Sequence, residues 1–205
     1  MIDNIKEENG VMLQGHIKIT DPKSGEVLID KRNAIHYENM SIALAESLAN
    51  AGQGPIYKMA FGNGGTAVDP TGIITYLTPN STGTNASLYN QTFAKVVDDQ
   101  ASNNTDPVRN KIETRHVSGT NYTDILVSCL LDYGEPSGQD AFDTTTNTEN
   151  LYVFDELGLI SAGASGADGR LLTHVIFHPV QKSLNRLIQI DYTVRVQSLT
   201  GFNEV

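Results

Sequence analysis

Few residues of this 205-residue chain have the types and spacing that chemistry requires. Gly62-Asn63-Gly64-Gly65-Thr66 is the one glycine-rich loop able to cradle a phosphate. A nucleotide phosphate loop also needs a lysine followed by Ser or Thr, leading into a helix. No lysine stands here, and Ala67-Val68-Asp69-Pro70 continues as turn and strand. The loop therefore reads as a structural turn whose glycines supply positive φ. His174 and His178 form a His-x-x-x-His pair, which on a helix would turn two imidazoles towards one zinc ion. Val175, Ile176 and Phe177 favour a strand instead, and Pro179 pushes His178 to extended geometry. Four residues along a strand span about 13 Å, too far for two ligands each about 2 Å from one metal. His16, His36 and His116 stand singly.

Cys129 lies mid-strand on a core-facing position, where a thiol with no cation or helix N-terminus beside it is inert. Asp98-Asp99, Asp140/Asp143 and Asp155-Glu156 are the residue types of calcium sites and glycosidases. No spaced loop pattern organises them, so they read as solvated acidic loops. There is no Gly-x-Ser-x-Gly elbow. No catalytic, cofactor-binding or metal-ligating residue is assigned, no cofactor is expected, and the chain does not read as an enzyme.

Composition narrows the classes further. Fourteen Lys and Arg stand against 24 Asp and Glu, a net charge of −10, which argues against a duplex-binding surface and a specific nucleic-acid partner. A single cysteine excludes an intrachain disulfide framework and any zinc site built on two thiolates. Residues 1–8 lack the basic start and apolar run of an export signal, and no apolar run approaches the roughly 18 residues of a membrane helix, so no membrane partner is expected. Ser, Thr and Asn together number 49, so about a quarter of the chain is small and polar.

The elements that must position these residues are mostly strands. Residues 11–20 alternate, with Val11, Leu13, Gly15, Ile17 and Ile19 on one face, and Asp21-Pro22-Lys23-Ser24-Gly25 turns the chain into a second strand at residues 26–30. Residues 39–51 read as the one helix, capped by Asn39 and closed by Gly52, its narrow apolar stripe suited to covering a sheet. Strands are predicted at residues 56–61, 73–77, 88–97, 111–117, 122–133, 151–158, 171–178 and 184–198. Residues 160–169 read as a small-residue linker, and Pro179 as the end of the strand before it. In the last strand Ile188, Ile190, Tyr192, Val194 and Val196 face inward. Long polar loops are expected at about residues 79–110 and 134–150. The sum is a mainly β protein: an antiparallel β-sandwich or flattened barrel with one flanking α-helix, as a single domain over residues 1–205.

Three segments resemble structural virion proteins of tailed bacteriophages. The first is residues 24–40, with Gly25-Glu26-Val27-Leu28 followed by Asn33-Ala34-Ile35-His36 and the start of the helix. The second is residues 56–66, Ile56-Tyr57-Lys58-Met59-Ala60-Phe61 with its glycine loop. The third is residues 171–183, including Leu172-Thr173-His174-Val175-Ile176-Phe177-His178-Pro179-Val180. The resemblance implies a non-enzymatic virion component, made in the host bacterial cytoplasm and assembled as a homo-oligomeric ring or sleeve at the neck, collar or head-tail connection, or the tail. Its implied partners are copies of itself and neighbouring portal, connector, tail or capsid proteins. It carries no catalytic residues. The two long loops and the helix are then expected as contact arms. A capsid decoration or fibre-like accessory protein is the alternative. A carbohydrate-binding β-sandwich is a further one, disfavoured by the absence of Trp.

Overall fold

Apolar residues recurring at every second position commit most of this chain to half-buried strands. The computed structural model describes residues 9–136 and 151–200. In these it has β1 (Asn9–Thr20), β2 (Val27–Ile35), α1 (Tyr37–Leu48), β3 (Ile56–Gly62), β4 (Thr66–Val68), β5 (Ile74–Tyr76) and β6 (Gln91–Val96). There follow β7 (Lys111–His116), β8 (Tyr122–Leu131), β9 (Leu151–Ala162), β10 (Asp168–Leu171), β11 (Thr173–Ser183) and β12 (Ile188–Thr200). One antiparallel sheet runs β6-β3-β9-β11-β2-β1-β12-β8-β7, with β10 attached to β9, while β4 and β5 form a separate hairpin. The protein is thus mainly β, a curled antiparallel sheet with one α-helix among the described residues, as its alternation predicts.

The sheet curls until its two halves face each other across one core. Ile17 and Ile19 of β1, Val127, Cys129 and Leu131 of β8, and Ile188, Ile190, Tyr192 and Val194 of β12 come from one half. Met59 and Phe61 of β3, Tyr152, Phe154, Leu157 and Leu159 of β9, and Val175 and Phe177 of β11 come from the other. Phe154 is the hub, meeting Phe61 and Phe177 edge to face at 5.4 and 5.8 Å and stacking on Tyr152 at 5.5 Å. The sheet's two ends also approach each other, because Lys95 of β6 donates to the Leu130 carbonyl of β8 at 2.7 Å.

The inward alternation slips once. On β9 the core residues run 152, 154, then 157 and 159; on β11 they run 175, 177, then 180. A register shift between Ile176 and Val180 marks the same level on the paired strand. Pro179 therefore does not end the strand: it sits in this irregularity, where no ladder donor is needed. The expected linker at residues 160–169 is likewise different. Residues up to Ala162 complete β9, a short 3-10 turn follows, and β10 folds back onto β9.

The helix begins two residues before the expected cap. His36, fully buried, is the N-cap, its Nδ1 accepting the Asn39 N–H at 3.2 Å. Asn39 instead lies inside the helix, with its side-chain amide donating to the Leu171 carbonyl at 2.9 Å. At the other end Asn50, with φ of 51°, takes the left-handed position that closes the helix, and Gly52, also at positive φ, follows two residues later. Ala51 N–H bonds back to Glu46 and Asn50 N–H to Ser47. Met40 and Ala43 form the buried face, while Tyr37 and Leu48 point to solvent.

Residues 79–110 are polar as expected but do not hang free as an arm. Leu88 packs with Ala60, Ile160 and Leu171 in a small cluster beside the main core. The Asn110 side chain is buried and accepts from Leu130 N–H at 2.9 Å, and Asn103 donates to Tyr57 Oη at 2.8 Å. Of the second expected loop, residues 137–150 lie outside the described residues.

Removing the aromatic hub tests the core. Phe154→Ala is expected to lower unfolding stability by about 3–5 kcal/mol, read from urea denaturation midpoints.

Candidate functional site

The glycine loop and the Asp155-Glu156 pair, 90 residues apart in the chain, meet in space. Where the alternation of β9 slips, Asp155 and Glu156 both leave the aromatic core, and the Gly62–Thr66 turn after β3 wraps over them. Gly65 N–H donates to Asp155 Oδ1 at 2.9 Å. Thr66 N–H donates to Oδ2 at 2.9 Å, and the Thr66 hydroxyl donates to the same oxygen. Glu156 takes four donors. Gly64 and Asn90 N–H reach its Oε1 at 3.1 and 2.8 Å, and Tyr89 N–H and His174 Nε2 reach its Oε2, each at 2.9 Å. The loop does present backbone donors to an anion, and the anions are the chain's own carboxylates.

This corrects two expectations. Asp155 and Glu156 are not solvated; both are buried, Glu156 completely. Gly62, Gly64 and Gly65 do not supply positive φ, since none of them has it. They supply room. A Cβ on Gly62 would stand 2.4 Å from Glu156 Oε1, and one on Gly65 would stand 2.9 Å from the Ile176 side chain.

His174 and His178 separate as strand geometry requires. His174 is wholly buried on β11, and His178 is exposed beside the Tyr76 hydroxyl at 3.3 Å. Asn80 N–H donates to His174 Nδ1 at 2.8 Å, so that nitrogen carries no proton. The proton on Nε2 then faces Glu156, making a neutral imidazole that donates to a carboxylate. The clamp thereby ties β3, β9, β11 and residues 80–90 together. Burial alone would push the Glu156 carboxyl up, but the bonds from His174, Asn90, Tyr89 and Gly64 outweigh it and hold the pKa below its usual value. For Asp155 burial wins over its three donors, and its pKa is raised. Each of the four oxygens of the pair accepts at least one donor from the chain itself, so the arrangement holds backbone in place.

A second buried titratable group escaped the sequence reading. Lys182 of β11 has no exposed surface, and its Nζ donates to the Asp132 and Ser183 carbonyls at 2.9 Å. Burial lowers its pKa to about 8. Nearby, Lys95 pairs with Glu135, and Arg109 bridges Asp106 and Asp132. Cys129 is buried as expected, and burial pushes its thiol up to about 12. An apolar cavity of about 370 Å³ lies elsewhere, under α1, lined by Leu13, Met40, Leu44, Ile125, Val194 and Val196. Among the described residues no three His, Cys, Asp or Glu side chains gather as a metal site. Signals for the clamp did exist in the sequence. They were the three-residue step from Phe154 to Leu157, with two acids inside it, and a histidine flanked by core residues.

Comparison of the chain with protein-family models, curated proteins and solved structures finds no match.

Two measurements test the buried charges. Glu156→Gln leaves two backbone or imidazole donors facing an amide NH2, and is expected to cost about 3 kcal/mol, at roughly 1–3 kcal/mol per unsatisfied donor. The lowered pKa of Glu156 means that its contribution is present above its unfolded pKa and lost as pH falls through the folded value. Acid titration of the denaturation midpoint is therefore expected to show a smaller loss in the Gln variant than in the parent. Lys182 behaves oppositely at alkaline pH. Its folded pKa of about 8 lies under the ordinary 10.5, so folding releases a proton between these values and stability rises with pH there. Lys182→Met is expected to remove that rise, seen as the difference between the two proteins' midpoints from pH 7 to 10.5.

Proposed function

We propose that the protein is a non-enzymatic structural component of a tailed-bacteriophage particle, assembling with copies of itself as a ring or sleeve at the neck or tail. One observation carries the reading: the three segments that resemble virion proteins converge on one structural unit. Residues 24–40 supply β2 and the start of α1, residues 56–66 supply β3 and the glycine turn, and residues 171–183 supply β11. β11 pairs with β2 through Thr173 and His174, and β3 and β11 flank β9 on its two sides. His36 N–H bonds to the Leu172 carbonyl at 2.9 Å, and His174 and Gly64 share the Glu156 carboxylate. The motifs are thus the parts of the chain that lock helix, sheet and turn into one block.

The chemistry of that block supports a building role. Its polar groups are spent on holding backbone, which favours a rigid unit that must repeat identically over a turnover site. Exposed apolar side chains on α1, Tyr37 and Leu48, offer contact to a neighbouring subunit. In a ring around a DNA path, a charge of −10 keeps duplex from adhering to the wall.

Mass spectrometry of purified phage particles, with sedimentation of the isolated protein, tests this. The expected result is a virion component that forms a closed oligomer. A protein that stays monomeric and is missing from particles overturns the reading, and copy numbers near those of the capsid lattice would move it to a decoration role.

A further inference from the structure

The outward face of the half-sheet β2-β1-β12-β8-β7 carries a charge pattern unlike the rest of the chain. Register places Arg32 beside His16, and Gln14, Arg195, Asp124 and Arg115 in one row across four strands. The next rows hold Glu113, Thr193 and Leu126, then Asp30, Lys18, Asp191, Ser128 and Lys111. This one face gathers five of the fourteen Lys and Arg but four of the 24 Asp and Glu, leaving nine cations and twenty carboxylates for the remainder.

The pairing within the face sharpens the imbalance. Arg195 grips Asp124 through Nε and Nη2 at 2.7 and 2.9 Å, lowering the carboxyl's pKa, and lies over the Tyr122 ring at 3.9 Å. His16 meets Asp30 at 2.8 Å, Lys111 meets Glu113 at 2.9 Å, and Gln189 donates to Asp191 at 3.0 Å. Each carboxylate is thereby answered. Among the described residues Arg32 and Arg115 are exposed and have no carboxylate within ion-pair distance. They stand on opposite sides of a shallow depression of about 420 Å³, floored by Gly15, Thr193 and Leu126. Four strand spacings separate their backbones, about 19 Å, which suits several carboxylates on a surface and exceeds a single small anion.

We propose that this face docks an acidic surface of a second copy of the chain, with Arg32 and Arg115 as the ion-pairing contacts. Charge selects the occupant: the surplus guanidiniums of this face complement the rest of the chain, where carboxylates outnumber cations more than two to one. The contact is head to tail, because two such faces laid together would oppose cation to cation. The inference rests on the proposed self-assembly and says which surface carries it.

The test uses the full chain and two double variants, Arg32→Glu/Arg115→Glu and Arg32→Lys/Arg115→Lys, each checked for unchanged thermal unfolding. Sedimentation velocity at 50 mM and 500 mM salt reads assembly. The expected result is association weakened about tenfold or more by the charge reversal and by high salt, and largely retained by the lysine pair. If the parent assembles and the reversed variant assembles equally well, this inference fails while self-assembly stands. If the parent remains monomeric at both salt concentrations, self-assembly fails and the inference with it. Duplex DNA retained by a monomeric parent and lost by the reversed variant would give the face to nucleic acid and likewise overturn the proposal.

Discussion

A buried carboxylate must be answered by donors, and two adjacent buried carboxylates must be answered twice. That constraint organises one half of this protein. Asp155 and Glu156 leave water on folding, and an unpaired charge there would cost several kcal/mol. The solution is backbone: N–H groups of Gly64, Gly65, Thr66, Tyr89 and Asn90, with one imidazole. Meeting the requirement fixes the turn after β3, the path of residues 80–90 and the position of β11 at once. The glycines follow from it, because only a residue without Cβ lets backbone come so close to the carboxylate of Glu156.

The other half of the sheet has a different rule. There the inner face is mostly aliphatic and regular, and on the outer face each carboxylate has a partner while Arg32 and Arg115 have none among the described residues. Irregular backbone and buried ionisable groups concentrate around β9 and β11, whereas β1, β12 and β8 pair over long uninterrupted registers. Rigidity in the first half comes from hydrogen bonds that fail if one partner is lost. In the second it comes from apolar burial, spread over many contacts and tolerant of small changes.

These two halves also differ in how much of them a reader of the sequence obtains. The alternations of residues 11–20 and 188–198 and the turn at Gly119 give their strands, their inward faces and the burial of Cys129 directly, whereas residues 184–187, expected in the last strand, form the turn before it. Periodicity fails at Phe154-Asp155-Glu156-Leu157, where the period of two is broken by a local slip, and at Pro179, whose usual meaning as a strand end is cancelled by the same slip. The helix start was displaced because His36 is an unusual cap that the preference for Asn at this position conceals. The clamp needed knowledge that β3 and β11 both lie against β9, which is a statement about strand order and not about any local run of residues. Lys182 was invisible for a similar reason, since its inward position depends on the phase after the slip.

The pairing of β1 with β12 carries a consequence for biosynthesis. Asn9 faces Thr200 across this ladder, so a strand laid down early waits for one laid down late. Until β12 is available, β1 has a partner on one side only, and the sheet is split between β1 and β8. Closing so distant a pair is slow in folding terms, because the intervening chain must be ordered first. The outward face that spans β2 to β7 does not exist as a surface before that closure. An unfinished or nicked chain therefore has the parts of the face without their alignment, and only a completed molecule can present it to a neighbour.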